Sequence, residues 1–253
     1  ALDYLIKVKG YSFLEAVETI IGHTAIQAPV YEKPQLKEEN KPLLLPEKCA
    51  SNRVITEYLF GRGIDFEIIN YCISNDLIFE SLPYHNVVFV GYGEKKEPKY
   101  AAYRSTNKRR IMGDCSGSKK DYSFRLGKEN LEEVHLFECA IDLLSYATLA
   151  KLNGQDWKEM SFVSLSGVYS PAKKIEDSKV PIALEKYLGS NPSVRKIRIH
   201  FDNDIAGRKA AQTLKIILPD KYEIVDEPPK AGKDFNDFLC MRMGIYNKKT
   251  HKR

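Results

Sequence analysis

The chain runs to 253 residues, 43% of them apolar and 29% charged, which gives room for one large or two modest domains and excludes a disordered protein. Lys and Arg number 39 against 34 Asp and Glu, a net charge of +5, compatible with a polyanionic partner without demanding one. No stretch approaches a membrane span and no signal peptide is visible, so a soluble, cytoplasmic protein is expected.

In chain order, Ala1 to Gly22 reads as two short helices split at Gly10, with Ser12 capping the second and Glu15 completing its capping box. Thr24 to Glu47 turns polar and carries Pro29, Pro34, Pro42 and Pro46, the composition of an extended linker. Ser51 to Phe60 and Asp65 to Ser74 are predicted helices capped by Ser51 and Asp65, with Gly61-Arg62-Gly63 as the break. Short strands are predicted over Asn86 to Val90, Lys99 to Arg104, Arg109 to Met112 and Tyr122 to Leu126. Around the last three cluster Arg104, Lys108, Arg109, Arg110, Lys119 and Lys120, opposed only by Asp114 between Arg104 and Lys120. Such cations bind backbone phosphates without reading sequence. Tyr100, Tyr103, Tyr122 and Phe124 flank them; aromatic faces can stack on unpaired bases, but here they read first as core residues of a hairpin.

The second half alternates strands and helices. Val134 to Phe137 is an apolar run ending in Glu138, and a helix (Ile141, Leu144, Leu149) follows; Glu138 and Asp142 are four apart and face one way if that helix begins near Cys139. A strand over Phe162 to Leu165 leads into Ser166-Gly167. Ile197, Ile199 and Phe201 alternate with Arg198 and His200, then the spacing becomes helical at Ala206, Ala210, Leu214 and Ile217. After a strand over Tyr222 to Val225, Gly232-Lys233-Asp234 opens a last helix.

In an open α/β sheet, ligands bind beyond the carboxyl ends of the strands. Asp202 and Asp204 fall there, two apart on extended backbone and so able to meet one cation, with Gly207 letting the chain crowd close. Each acid also has a plain structural reading, with Asp204 and Asp234 as N-caps and Glu138 suiting a helix N-terminus. Three consecutive strand ends carrying carboxylates favour a metal. The five cysteines, at 49, 72, 115, 139 and 240, form no CxxC pair and read as free thiols, and no zinc site can be built from their spacing. His23, His85, His135 and His200 are isolated and read as packed or solvated.

Glu138 with Asp142, then Asp202-Asn203-Asp204 with Ala206-Gly207, then Gly232-Lys233-Asp234, in that order, resembles the Toprim domain, the metal-binding module shared by bacterial DNA primases, topoisomerases and some nucleases. The resemblance covers Leu131 to Met243. It implies Glu138 as general acid/base, Asp202 and Asp204 as ligands of Mg²⁺ (or Mn²⁺), and Asp142 and Asp234 as accessory acids. The sequence departs from the primase pattern at Cys139 (Gly), Asn236 (acidic) and Ser166-Gly167 (usually Gly-Thr). The start, Ala1-Leu2-Asp3-Tyr4-Leu5 with Gly10 to Val17, resembles the segment after the last zinc ligands of the primase zinc ribbon, so zinc is expected only in a ribbon preceding residue 1. The helix-helix-strand region resembles a small domain of unassigned function that precedes Toprim in proteins of plasmids and other mobile elements.

The expected organisation is a helical remnant at 1–23, a linker at 24–47, a small basic α+β domain at 48–130, a Rossmann-like Toprim domain at 131–243, with a mostly parallel sheet flanked by helices, and a basic tail at 244–253. The resemblance implies a primase-like nucleotidyltransferase taking single-stranded DNA and nucleotides, with a helicase or relaxase as possible partner. A Toprim-type nuclease or topoisomerase-like enzyme, or a non-catalytic nucleic-acid-binding module, fits the same residues.

Overall fold

The computed structural model describes residues 2–11, 13–21, 41–109, 111–167, 169–172 and 174–245, and the chain divides into two units, residues 1–40 and 41–253. The first holds α1 (Leu2–Lys7) and α2 (Phe13–Ile21), the expected pair of short helices broken at Gly10. The Ser12 cap, residues 22–23 and residues 24–40 of the proline-bearing stretch lie outside the described residues.

The second unit opens with α3 (Arg53–Phe60) and α4 (Phe66–Ser74), separated at Gly61-Arg62-Gly63. Asp65 caps α4 as expected, accepting the Glu67 N–H at 2.9 Å. The expected Ser51 cap is displaced by one residue: Asn52 holds the N-cap position without a capping bond. The Asn52 Oδ1 is engaged instead by the Glu80 N–H at 2.9 Å, and Ser51 Oγ accepts the Arg53 N–H at 3.1 Å. A tertiary partner outcompetes the local cap.

Four strands then form an antiparallel meander, β1 (Ile78–Glu80), β2 (Val87–Tyr92), β3 (Pro98–Arg104) and β4 (Met112–Asp114). β1 is not among the predicted strands, because its three residues are all buried and no alternation marks it. β4 begins at Met112 rather than Arg109. Tyr100 and Phe124 are 1% exposed, so these two aromatics belong to the core.

The next strand, β5 (Arg125–Gly127), leaves the meander and pairs antiparallel with β7 (Ser161–Ser164). With β6 (Glu133–Phe137), β8 (Lys196–Ile199) and β9 (Glu223–Asp226) these build a second sheet in the order β5-β7-β6-β8-β9, parallel from β7 to β9. Crossing helices α5 (Ala140–Leu152), α6 (Ile182–Ser190) and α7 (Ile205–Ile217), with α8 (Phe235–Arg242) after β9, cover both faces, as parallel strands require.

Side-chain alternation along β6 divides the core. Phe137 packs with Phe162, Leu144, Leu239 and residues of α3 and α4, including Leu59 and Ile69. Val134 and Leu136 pack the other way with Val163, Ile197, Leu184 and Leu214. Each such fully buried chain contributes about 1.5–3 kcal/mol. The expected α/β class, a smaller segment before a parallel-rich sheet, is the class observed. Among the described residues no helix is long and apolar enough to cross a membrane.

Candidate metal centre

β6 and β8 lie side by side in parallel, Leu136 opposite Ile199, so the residues leaving their carboxyl ends meet at one rim. There the Asp202 N–H donates to Glu138 Oε1 at 3.1 Å. The contact depends on Gly207: a Cβ there would stand 2.3 Å from the Asp202 carbonyl oxygen and 2.9 Å from Glu138 Oε1, inside any tolerable approach. From the other side, the Gly167 N–H donates to the Glu138 carbonyl at 2.9 Å. The Ser166-Gly167 turn thereby holds the backbone of Glu138.

The remaining acids come from helix starts. Asp142, in the first turn of α5, accepts from the Cys139 thiol at 2.9 Å and from the Asn236 N–H at 3.2 Å. Asp204 caps α7 through the Gly207 N–H at 2.9 Å, and Asp234 caps α8 through the Asp237 N–H at 2.7 Å. Capping and membership of the cluster are compatible, since each carboxylate has a second oxygen. The Asn203 N–H donates to the Lys233 carbonyl at 2.7 Å, tying the loop before α8 to the loop before α7. All five predicted acids lie within electrostatic reach of one another, Glu138 of Asp202 and Asp204, and Asp142 of Asp202 and Asp234, though among the described residues no three of them bring ligand atoms within 4.8 Å.

Their electrostatics show the crowding. Burial, then the charge of Asp202, pushes the Glu138 carboxyl up to about 7. Burial and the neighbouring Asp234 raise Asp142. Burial also raises Asp202 against the opposing pull of Lys233, with Asp234 and Asp204 adding to the rise. Asp204 is lowered, chiefly by the Gly207 N–H. The Lys233 ammonium sits 3.1 Å from Asp202 Oδ2 and 3.3 Å from Asp204 Oδ2, and its hydrogen bond to Asp202 raises its own pKa. Carboxylate oxygens are hard donors, and an ammonium already bridging two of them marks a position that suits a hard divalent cation such as Mg²⁺.

Three contributors were not legible as such. Lys233 is one. Arg208 is another: its guanidinium donates to the carbonyls of Asp202 (3.1 Å) and Phe201 (2.7 Å) and pairs with Asp226 at 2.7 Å, clamping the turn that carries the aspartates. Its only signal is an arginine in the first turn of a helix, where a cation is out of place. The third is Asn236, standing where the primase pattern is acidic. Its amide donates to the Arg62 carbonyl at 2.9 Å and to Ser145 Oγ at 3.0 Å, and its Oδ1 accepts from Arg62 Nη1. It joins α8 to the α3–α4 break.

The predicted basic residues separate. Arg104 and Lys120 line a groove of about 310 Å³ with Tyr103, Cys139 and Ser166, beside the start of α5. Arg104 also donates to Tyr58 Oη at 3.0 Å, and Lys120 pairs with Asp114 at 3.1 Å. Lys108 and Arg109 are exposed in the β3–β4 connection, Lys119 is exposed ahead of β5, and Arg110 lies outside the described residues. His135 and His200 are packed, at 4% and 1% exposure.

Residues 135–239 match the Toprim-like family, and residues 57–130 match a family described as a protein of unknown function (DUF3991); the chain therefore carries a Toprim-like domain preceded by that small domain. No curated protein matches by sequence. Similar solved structures include the primase fragment of the bacteriophage T7 primase-helicase, at 18% identity over 74% of this chain and 69% of that one, with a TM-score of 0.49. The E. coli primase catalytic core is similar at 11% identity over 75% and 69%, TM-score 0.48. The zinc-binding and RNA polymerase domains of the Aquifex aeolicus primase are similar at 15% identity over 97% and 68%, TM-score 0.46.

Proposed function

We propose that the chain is a primase-like, divalent-metal-dependent nucleotidyltransferase acting on single-stranded DNA. The observation that supports this is that Lys233 bridges Asp202 and Asp204 while Glu138, Asp142 and Asp234 act on the same carboxylates through their charges. Asp202 and Asp204 would hold Mg²⁺ or Mn²⁺, with Asp142 and Asp234 as accessory acids. Bound there, the ion neutralises charge that develops on the phosphoryl oxygens and aligns them for attack.

The chain's own groups do the rest. Glu138 is oriented by the Asp202 N–H on Oε1, so its other oxygen is the place for the proton of an attacking hydroxyl. Lys233, which bridges Asp202 and Asp204, would offer its ammonium to a substrate phosphate if a cation took its place between them. Arg104 and Lys120 offer phosphate contacts in the groove beside α5, the exposed Lys108, Arg109 and Lys119 would add contacts to the template backbone, and Arg110 is assigned the same role from the sequence alone. A plasmid or other mobile-element setting, with a helicase or relaxase as partner, belongs to this reading. It rests on the resemblance of residues 48–130 to the small domain found in such proteins.

The test is synthesis. With Mg²⁺ or Mn²⁺, single-stranded template and labelled nucleotides, the chain is expected to make labelled oligomers, and Asp202→Ala to abolish them. Template cleavage without synthesis, or DNA binding indifferent to both metal and Asp204→Ala, would overturn the reading.

A further inference from the structure

A second group of ligating side chains lies in the small α+β segment, where the nucleotidyltransferase reading assigns nothing. Cys49, Glu80 and His85 each bring one ligand-capable atom (Sγ, a carboxylate oxygen, a ring nitrogen) within 4.8 Å of the other two. Cys49 comes from the extended chain before α3, Glu80 from the end of β1 and His85 from the β1–β2 turn.

The group is built rather than accidental. Glu80 is 1% exposed, and among the described residues its ion-pair partner is His85. Its Oε2 is taken by the N–H groups of Val54 (2.9 Å) and Ile55 (3.3 Å) at the start of α3. That fixes the carboxylate so that Oε1 faces His85 Nδ1 at 2.5 Å. The Cys49 N–H donates to the Glu80 carbonyl at 2.7 Å, keeping the thiol beside it. His85 adopts φ +52°, a left-handed conformation that costs a non-glycine residue energy. It is held there by its N–H on the Ser81 carbonyl (2.8 Å) and by Thr106 Oγ1 donating to its own carbonyl at 3.0 Å.

We propose that Cys49, Glu80 and His85 form a transition-metal site, zinc by preference, separate from the acidic centre. A thiolate, an imidazole and a carboxylate are zinc's donor types, whereas Mg²⁺ takes oxygen alone. Three protein ligands leave a fourth position, and Cys49 and His85 are both partly exposed, so water can complete a tetrahedron. Binding releases the Cys49 thiol proton to solvent, and the proton between His85 Nδ1 and Glu80 Oε1 passes to His85 Nε2, so that the neutral imidazole ligates through Nδ1. The ion then compensates the buried Glu80 charge and ties the segment before α3, the start of α3 and the β1–β2 turn together.

The whole chain, stripped by a chelator and kept reduced, is to be titrated with Co²⁺ and then Zn²⁺. The expected result is a thiolate-to-cobalt charge-transfer band saturating at one equivalent, bleached by Zn²⁺, absent in Cys49→Ser, and requiring at least about tenfold more metal in His85→Gln. Asp202→Asn with Asp204→Asn should leave the band intact, because carboxylates alone cannot produce it; that separates this site from the acidic one. Zn²⁺ should raise the melting temperature of the native chain and not that of Cys49→Ser. A titration with no thiolate band, a band surviving Cys49→Ser, or an affinity unchanged in His85→Gln would overturn the proposal.

Discussion

A single missing methyl group sets the geometry of the acidic rim. With Gly207 changed to Ala, Cβ must push the Asp202 carbonyl and Glu138 Oε1 away from 2.3 and 2.9 Å, so the β8–α7 turn has to open. The expected cost is about 1–3 kcal/mol, read by urea unfolding, together with loss of Mn²⁺ binding. Gly189 provides the contrast, since no atom lies within 4 Å of a Cβ built there and Gly189→Ala in α6 should leave Mn²⁺ binding alone. A pH effect belongs to Glu133. The hydrogen bond from His135, then that from Arg198, holds its carboxyl down to about 2 from an ordinary 4.5. A carboxyl depressed in the folded state stabilises above its unfolded value and loses that contribution as pH falls through the window from 4.5 to 2. Glu133→Gln should therefore be less stable than the native chain at pH 7, by about 1 kcal/mol for a part-exposed pair. The gap should shrink as pH falls below 4.5 and close only below about pH 2, where the carboxyl is protonated in both states.

At the scale of elements, Asn236 is the joint between α8 and the α3–α4 break. Asn236→Ala would take one partner each from the Arg62 guanidinium, the Arg62 carbonyl and the Ser145 hydroxyl, which keep their bonds to Tyr58, Cys240 and Ile141, at an expected cost of about 1–2 kcal/mol. A double-mutant cycle with Arg62→Ala should show a coupling of about 1 kcal/mol or more; additivity would mean the joint does not exist. The elements also show what a sequence can disclose. Helices α4, α7 and α8 begin where Asp65, Asp204 and Asp234 say they do, because a cap is a local device that reads the next three residues. The acids of the rim were readable for a related reason: parallel strands oblige their ends to share an edge. What stayed hidden depends on partners remote in sequence. Asn52 abandons its cap for Glu80, β1 is too short and too buried to alternate, and Arg62 meets Asn236 only once both helices are packed.

For the molecule as a whole, the basic surface is the feature that a solution experiment sees most directly. Lys108 and Arg109 are exposed in the β3–β4 connection. Replacing both by Ala should weaken single-strand binding at low salt and flatten the plot of log K against log salt by roughly 0.7 per lost phosphate contact. An unchanged slope would remove this connection from the proposed DNA contact. Arg104 and Lys120 should behave differently, because they line the groove beside α5: their loss should impair use of nucleotides more than retention of template.

β5 comes before the Toprim-like strands in the chain yet closes their sheet, pairing Arg125 to Val163 and Gly127 to Ser161. The join between the two parts is thus woven rather than hinged. Severing the polypeptide just ahead of Leu131 would strip β7 of the strand paired to it on that flank and leave a row of bare backbone donors and acceptors, an invitation to stack with another molecule. The smallest autonomous piece bearing the acidic rim must reach back past Arg125, so inheritance of that rim carries part of the preceding segment with it.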